Sequence, residues 1–265
     1  MKTILITGAT SGIGLTIAQS LDRKEYQIFG TSRHPEGIRD KYDFELLPLD
    51  ITSIDSVEKC ISLLLEKTGK LDVLVNNAGM IVIGSAEETS IELAHKQVDT
   101  NFWGVVNMTR AVLPVMRKQH SGKIITIGSL AGIIGVPFES YYSASKHALE
   151  GFFKSLRFEV KNFNIHVSII EPGFFKTNLM DTKENYAEAT IEDYDALRRG
   201  PISVITESFD NAQSPQAVAN IVLKILQTKN PKLHYPVGKD TSLLPFLQFA
   251  FNRMYEKGAA KHFKI

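Results

Sequence analysis

Cysteine is nearly absent from this sequence, and neither sign of charge is in clear excess. Cys60 is the single cysteine among 265 residues, which excludes an internal disulfide and a cysteine-based metal cluster. The 30 basic and 29 acidic side chains nearly cancel, and neither sign forms a long block. The composition therefore predicts no metal site and no nucleic-acid or acidic-partner surface.

Long hydrophobic runs are also missing. No apolar stretch approaches the ~20 residues that a membrane-spanning helix needs, so no integral membrane segment is predicted. Residues 2–7 already have the composition of a strand, and we expect no signal peptide and a cytoplasmic protein. A chain of this length fits one large α/β domain.

The sequence opens with a strand, a glycine turn and a helix. Apolar periodicity in residues 15–21 indicates the helix. Gly8, Gly12 and Gly14 permit a tight turn and the close approach of a pyrophosphate, which backbone amides at a helix start attract. The spacing is neither GxGxxG nor a Walker loop, which disfavours a nucleoside triphosphatase. The turn is predicted to bind phosphate, and an ordinary strand-to-helix turn is the alternative.

The strand predicted at residues 27–31 leads to the region that selects the cofactor. Dinucleotide folds recognise the adenine ribose about 20 residues after the glycine turn. Ser32 and Arg33 stand near this offset and suit a 2′-phosphate, whereas an aspartate would accept the 2′-hydroxyl. NADP(H) is therefore predicted in preference to NAD(H). A solvated loop arginine is the alternative interpretation.

Small and polar residues follow the next two predicted strands. Asp50 ends the strand that begins at residue 44, and it could bind an adenine amine or cap the helix predicted at 54–67. Thr52 or Ser53 is a second candidate for that cap. The strand at 71–75 runs into Asn76-Asn77-Ala78-Gly79, where small residues leave space for a flat ligand.

A tyrosine and a lysine define the predicted chemistry. Tyr142 and Lys146 are four residues apart on a predicted helix and share one face. A neighbouring ammonium favours a phenolate, so Tyr142 could exchange a proton at neutral pH. Ser129 ends the strand at 123–127, and both hydroxyls are expected at the carboxyl-end crevice of an open α/β sheet. Taken alone, this spacing more often means a half-buried ring beside a solvated lysine.

Several other segments complete the pattern. Asn101 interrupts an apolar helical stripe over residues 90–119, so it needs hydrogen-bond partners or belongs to a site. After a strand at 165–170, no regular structure is assigned until about residue 214, where a helix at 215–228 and a strand at 233–237 follow. The apolar tail at 243–251 is expected to cover the substrate mouth or a sister subunit, with membrane-surface contact as the alternative.

Together these motifs resemble the short-chain dehydrogenase/reductase family over almost the whole chain. They occur in the family's order: Thr7-Gly8-xxx-Gly12-Ile13-Gly14, Asn76-Asn77-Ala78-Gly79, Asn101, Ser129, Tyr142-xxx-Lys146 and Pro172-Gly173. The pattern is closest to NADP-preferring hydroxysteroid dehydrogenase-like, retinol dehydrogenase-like and acyl-dihydroxyacetone-phosphate reductase-like members.

The resemblance implies a fold and an assembly. The expected fold class is α/β, a single Rossmann-like domain over residues 1–265 with a doubly wound parallel sheet of about seven strands flanked by helices. Within it, 174–214 would be the substrate loop region and 238–265 a C-terminal extension. A homodimer or homotetramer is expected.

The resemblance also implies roles for individual residues. Tyr142 would be the proton donor, Ser129 would hold the substrate oxygen, Lys146 would support Tyr142, and Asn101 would fix a water that links Lys146 to solvent. Gly128 departs from the serine that relatives often have at this position. The implied cofactor-binding residues are Gly8, Thr10, Ser11, Gly12, Ile13, Gly14, Ser32, Arg33, Asp50, Ile51, Asn77, Ala78, Gly79, Tyr142, Lys146, Pro172, Gly173 and Thr177.

The implied function is an NADP(H)-dependent oxidoreductase that interconverts a ketone or aldehyde and an alcohol. Its small-molecule substrate is expected to be apolar, such as a steroid, retinoid or acyl-chain ketone, because apolar residues flank the crevice: Met80, Ile81, Ile133, Ile134, Val136, Phe138, Phe174 and Phe175. The alternatives are a 3-oxoacyl carrier-protein reductase-like enzyme, a non-catalytic NADP-binding regulator, and an epimerase or dehydratase without net cofactor consumption.

Overall fold

A computed structural model describes residues 1–180, 185–239 and 241–265. Seven parallel strands form one sheet in the order β3-β2-β1-β4-β5-β6-β7. From β1 the successive strands are added first on one side and, from β4 onward, on the other side of the sheet. Open α/β sheets bind their ligands at this point, between β1 and β4. The strands are β1 Lys2–Ile6, β2 Tyr26–Ser32, β3 Glu45–Pro48, β4 Val73–Asn76, β5 Gly122–Ile127, β6 Ile165–Pro172 and β7 His234–Val237.

Helices cover both faces of the sheet. Buried side chains of α1 and α7 pack on one face, and those of α2, α4 and α5 pack on the other. The helices are α1 Gly12–Ser20, α2 Ile54–Thr68, α3 Ile91–Val98, α4 Gly104–Gln119, α5 Ser140–Val160, α6 Asp195–Asp210, α7 Gln216–Gln227, α8 Leu243–Ala250 and α9 Asn252–Phe263. The predicted doubly wound sheet is confirmed.

Local sequence signals account for most element boundaries. Ser53 caps α2 by accepting a hydrogen bond from the Ser56 amide, and Gly69 ends the helix in the left-handed region at φ 67°. Strand β4 is buried at every position, as its apolar run predicted. The helical stripe predicted at 90–119 is present, but a π-turn at Asp99–Trp103 divides it into α3 and α4.

The prediction of no regular structure before residue 214 was wrong. Helix α6 occupies Asp195–Asp210 within that region, and its buried Val204 and Ile205 belong to a third apolar cluster beside Tyr142. Gly200 and Pro201 in the middle of the helix weaken its sequence signal, and burial of its apolar face stabilises it in the folded chain. Residues 181–184 of the predicted substrate loop lie outside the described residues.

The apolar tail is also helical in the structure. Helix α8 carries its apolar residues without a fully buried position, and α9 packs against α6 through Phe263. Within the described residues, no helix combines the length and apolar character needed to cross a membrane.

Candidate active site

A cavity of about 780 Å³ opens at the carboxyl ends of the central strands. It is lined by Ser129, Tyr142 and Lys146 and by every predicted cofactor-binding residue except Gly14. The cavity runs from the glycine turn past the ends of β2 and β3 and past the start of α5 to residues that follow β6. Segments that are far apart in sequence therefore meet around one space large enough for a cofactor and a substrate.

The glycine turn is built around Asn77. Gly8 adopts φ 64° and Gly12 φ 52°, conformations that favour glycine. The Asn77 Nδ2 atom donates hydrogen bonds to the carbonyl oxygens of Thr7 and Gly8 at 2.9 and 3.0 Å. A Cβ on Gly14 would lie 2.4 Å from that same nitrogen, so Gly14 makes room for the asparagine and does not line the cavity.

The start of α1 leaves backbone amides facing the cavity. Ser11 is the residue before the helix, and its side chain makes no capping hydrogen bond. Ser11, Gly12 and Ile13 all line the cavity, so amides of the first turn can receive a phosphate oxygen. Thr177 stands opposite, since a Cβ on Gly12 would lie 3.2 Å from the Thr177 Cβ.

The end of β2 supplies the predicted ribose-binding residues. Ser32 and the exposed Arg33 line the cavity, and the Ser32 hydroxyl accepts a hydrogen bond from the His34 amide at 3.2 Å. Hydrogen bonds from Thr52 lower the pKa of Asp50, with a smaller contribution from the Arg33 charge. Arg33 thus presents a cation at this end of the cavity.

The sequence left two roles open for Asp50, adenine binding and the cap of α2, and a different residue caps α2 in the structure. The Asp50 Oδ1 atom accepts hydrogen bonds from the Thr52 amide at 2.9 Å and the Thr52 hydroxyl at 2.7 Å. Ser53 caps α2. Asp50 also lines the cavity beside Ile51, which leaves cofactor contact open to it.

Tyr142 and Ser129 lie together in the cavity wall and share a hydrogen bond. Tyr142 is only 8% exposed, and Ser129 marks the end of the β5 loop, where its hydroxyl accepts a hydrogen bond from the Ala131 amide. Burial and the Glu139 carboxyl raise the pKa of Tyr142, while its hydrogen bond with Ser129 lowers it. The direction is opposite to the lowering predicted from the Lys146 spacing, because desolvation of the ring dominates.

Lys146 shares the helix face of Tyr142, but its ammonium binds a backbone carbonyl. Its Nζ lies 5.7 Å from the centre of the Tyr142 ring and donates a hydrogen bond to the Ile127 carbonyl at 3.0 Å. Burial lowers the pKa of Lys146 to about 8. The alternative of a solvated lysine is wrong, since the residue is 7% exposed.

Asn101 is buried outside the cavity wall. Its Oδ1 accepts a hydrogen bond from the Met80 amide, and its Nδ2 donates one to the Met80 carbonyl, both at 2.8 Å. Nδ2 also contacts the Ser145 hydroxyl at 3.2 Å. Asn101 therefore links Gly79–Met80, which line the cavity, to α5. The predicted water link to Lys146 remains a prediction.

Gly128 has a structural reason for being glycine. Its amide donates a hydrogen bond to the Ile170 carbonyl at 2.8 Å, which brings the backbones of β5 and β6 together. A Cβ at this position would lie 2.8 Å from the Ile169 Cγ2 and 3.1 Å from the Ile170 oxygen. A serine at this position would therefore require Ile169 or the β6 backbone to move.

Apolar side chains form much of the remaining wall. Of the eight predicted residues, Met80, Ile81, Val136, Phe174 and Phe175 line the cavity, whereas Ile133, Ile134 and Phe138 do not. Leu179 and Phe209 add apolar surface that the sequence reasoning missed. Phe209 belongs to α6 and packs edge-on against Phe174 at 5.2 Å between ring centres.

Two groups of ionisable residues also escaped the sequence reasoning. Glu139 lines the cavity beside Tyr142, and its position three residues before the tyrosine was the available signal. Outside the cavity lining, Glu150, Glu171 and His234 place one ligand atom each within 4.8 Å of one another. They come from α5, β6 and β7, so no sequence spacing could have joined them.

Comparison with known proteins identifies the family. The model of the short chain dehydrogenase family matches residues 2–188. This chain belongs to that family. It is 39% identical over 265 residues to 3-ketodihydrosphingosine reductase from Bacteroides thetaiotaomicron, with 95% of this chain and 97% of the relative covered. It is 37% identical over 252 residues to retinol dehydrogenase 8 from Bos taurus, with 88% of this chain and 80% of the relative covered.

Solved structures share the fold of this family member. A short-chain dehydrogenase from Streptomyces avermitilis matches with a TM-score of 0.84 at 31% identity, covering 98% of this chain and 97% of that one. ElxO with NADP bound matches at 0.76 and 25% identity, covering 91% and 98%. A Burkholderia phymatum relative in complex with NAD, 22% identical, shares the fold. The chain is an oxidoreductase of a family that binds nicotinamide cofactors and acts on alcohols or carbonyl compounds.

Proposed function

We propose that this protein is an NADP(H)-dependent enzyme that interconverts an apolar ketone or aldehyde with its alcohol, with Tyr142 as proton donor and acceptor. The observation that carries the proposal is one cavity lined by the buried Tyr142 and Lys146, by Ser129 and by the glycine turn. A pure cofactor-binding protein needs the turn but has no need of a buried acid. The intact catalytic residues favour catalysis.

The cavity fits a nicotinamide dinucleotide. Gly8 and Gly12 carry no side chain that would block the approach of a pyrophosphate. Backbone amides in the first turn of α1 would bind its oxygens. Ser32 and Arg33 would hold the 2′-phosphate, Asp50 and Ile51 the adenine, and Thr177 the carboxamide. The remaining residues predicted to hold the cofactor would contact its phosphates, ribose and nicotinamide. When bound, NADPH supplies the hydride.

Tyr142 would protonate the carbonyl oxygen in the direction of reduction. Burial keeps the phenol in its protonated form, which is the form that a general acid requires. Ser129 hydrogen bonds the same oxygen and holds it at the phenol. Lys146 would bind the nicotinamide ribose and, once an ammonium faces the phenol, stabilise the phenolate left after proton transfer.

The substrate class is proposed from the apolar wall. Met80, Ile81, Phe174 and Phe209 offer a surface that stabilises a hydrocarbon chain or ring system by removing it from water. Two relatives support this choice by name, since one acts on 3-ketodihydrosphingosine and the other on retinol. The segment 174–214 would form the substrate-binding region, with 238–265 as an extension beside it.

A homodimer or homotetramer is part of the proposal. We expect α4 and α5 to form the interface between subunits. Large apolar side chains are exposed on α5 and next to the start of α4. Phe158 on α5 is 81% exposed, and Trp103 just before α4 is 52% exposed. Exposed aromatic side chains of this size are typical of protein interfaces. We further propose a cytoplasmic location.

A substrate panel tests the proposal directly. Long-chain ketones, retinal, steroid ketones and acyl-thioester ketones should be offered with NADPH and with NADH, and cofactor oxidation followed by absorbance. We expect turnover of at least one apolar carbonyl compound, faster with NADPH. Tight NADPH binding without turnover of any panel member would instead indicate a cofactor-binding regulator. Product formation without net NADPH oxidation would indicate an epimerase or dehydratase.

A further inference from the structure

Glu139 is a buried acid in the wall of the substrate cavity. Its side chain is 3% exposed, and its Oε1 atom has no hydrogen-bond partner among the described residues. The residue lines the same cavity as Ser129 and Tyr142. A desolvated carboxyl without a partner destabilises a folded protein, so its presence is not explained by stability.

Two backbone hydrogen bonds fix the position of Glu139. The Glu139 amide donates a hydrogen bond to the Val136 carbonyl at 3.2 Å, and its carbonyl accepts one from the Ser143 amide at 2.7 Å. Phe138 before it adopts φ 63°, a conformation that strains a residue with a side chain. The Phe138 carbonyl is fixed in turn by the Gly84 amide at 2.8 Å. Strain that persists in a fixed loop is common where a side chain must be presented to a ligand.

None of the ion pairs among the described residues includes Glu139. Burial alone raises its pKa to about 8. The Lys146 ammonium, on the helix that follows Glu139, donates its hydrogen bond to the Ile127 carbonyl. In the proposed reaction Ser129 and Tyr142 both bind the substrate oxygen. A positive charge carried by the ligand would therefore give Glu139 a partner that it lacks among the described residues.

We propose that Glu139 binds a protonated amine next to the reacting carbonyl, so that the enzyme acts on 2-amino ketones and the corresponding 2-amino alcohols. The inference rests on the proposed carbonyl chemistry at Tyr142, because that chemistry fixes where the carbonyl lies. A carboxylate and an ammonium form a charge-assisted hydrogen bond, which is strong where water is excluded. 3-Ketodihydrosphingosine is one long-chain compound with this arrangement of amine and ketone.

Amine binding would change the protonation of Glu139. Burial raises the pKa of this carboxyl to about 8, so it carries a proton at neutral pH before the ligand binds. An ammonium beside Glu139 would favour the carboxylate and lower its pKa. Binding of the amine at neutral pH would therefore release one proton from the carboxyl.

Two soluble ketones of equal shape test the inference. In 2-aminooctan-3-one an ammonium stands where 2-methyloctan-3-one has a methyl group. We expect the wild-type enzyme with NADPH to favour the amino ketone in kcat/KM by roughly 10- to 100-fold, the range of one charge-assisted hydrogen bond. Glu139→Gln keeps the shape but removes the charge, and it should lower this preference by at least about tenfold. Glu66→Gln, at an exposed position on α2 outside the cavity lining, should keep the wild-type preference.

Binding gives a second measurement that does not depend on turnover. The affinities of both ketones for the NADPH-loaded enzyme, measured by calorimetry, should show the same preference and the same loss in Glu139→Gln. A preference that is equal in wild type and Glu139→Gln would overturn the amine site. If neither ketone is reduced but the binding preference still depends on Glu139, the amine site stands and the proposed reduction fails.

Discussion

The Lys146 ammonium lies 5.7 Å from the centre of the Tyr142 ring and donates its hydrogen bond to the Ile127 carbonyl. In this arrangement burial, and not the lysine, governs the acidity of the phenol. Tyr142 is held protonated, as a donor must be. The role proposed for Lys146 therefore requires its ammonium to leave the Ile127 carbonyl for the phenol and the ribose.

Removal of the Tyr142 hydroxyl should separate catalysis from cofactor binding. Tyr142→Phe keeps the ring that packs in the third apolar cluster but cannot protonate the substrate. We expect kcat to fall by at least about 10²- to 10⁴-fold, the usual contribution of a general acid, while NADPH fluorescence titrations show a similar affinity. A variant with undiminished kcat would remove Tyr142 from the reaction.

Arg33 should determine the choice between the two cofactors. Arg33→Asp replaces a cation by an acceptor for the 2′-hydroxyl, and we expect the ratio of kcat/KM for NADPH over NADH to fall by about 10- to 100-fold. Arg39→Asp makes the same charge change at an exposed position outside the cavity lining. Equal ratios in Arg33→Asp and wild type would contradict 2′-phosphate recognition by this arginine.

The buried Glu139 should make stability depend on pH. Its pKa is raised from 4.5 to about 8 in the folded protein, so the folded state keeps a proton that the unfolded chain releases. The stabilisation is complete below pH 4.5 and is lost as pH rises through about 8. Relative to wild type, Glu139→Gln should gain on the order of 2 kcal/mol in unfolding free energy between pH 5 and 8.

Urea unfolding at several pH values measures this difference. Other buried carboxyls, including Glu171, whose burial raises its pKa to about 7, are present in both proteins and cancel in the comparison. Glu188→Gln at an exposed position should differ from wild type by the same amount at every pH. A pH-independent difference for Glu139→Gln would show that the carboxyl titrates normally.

Gly128 should not accept a serine without a loss of stability. The new Cβ would meet the Ile169 Cγ2 at 2.8 Å and the Ile170 oxygen at 3.1 Å. We expect Gly128→Ser to lower the unfolding free energy by ~1–3 kcal/mol, as overpacked substitutions do. Gly135→Ser is the control, because a Cβ there has nothing within 4 Å. Equal midpoints of thermal unfolding in the two variants would show that β5 and β6 can separate at little cost.

Several predictions from the sequence depended on local patterns and were confirmed. The order of the motifs implied, through the family resemblance, a doubly wound parallel sheet, and Ser53 was one of three residues considered for the cap of α2. The register of Tyr142 and Lys146 on α5 follows from helix geometry alone. These features are fixed by neighbours in sequence, which is why a pattern could reveal them.

Other features depend on contacts between distant segments. Helix α6 has Gly200 and Pro201 in its interior, so burial beside the active site stabilises what its sequence disfavours. The partners of Asn101 are the backbone of Met80 and the hydroxyl of Ser145, 21 and 44 residues away. The raised pKa of Tyr142 comes from desolvation, which exists only after the core has formed.

The sequence by itself determined the fold class, the glycine turn and the residues able to move a proton, because each is set by spacing along the chain. Only the tertiary structure decided that Lys146 binds Ile127, that Gly14 makes room for Asn77, and that the Glu139 Oε1 atom has no hydrogen-bond partner among the described residues. Burial and long-range contacts set these relationships, and no spacing of residue types contains them.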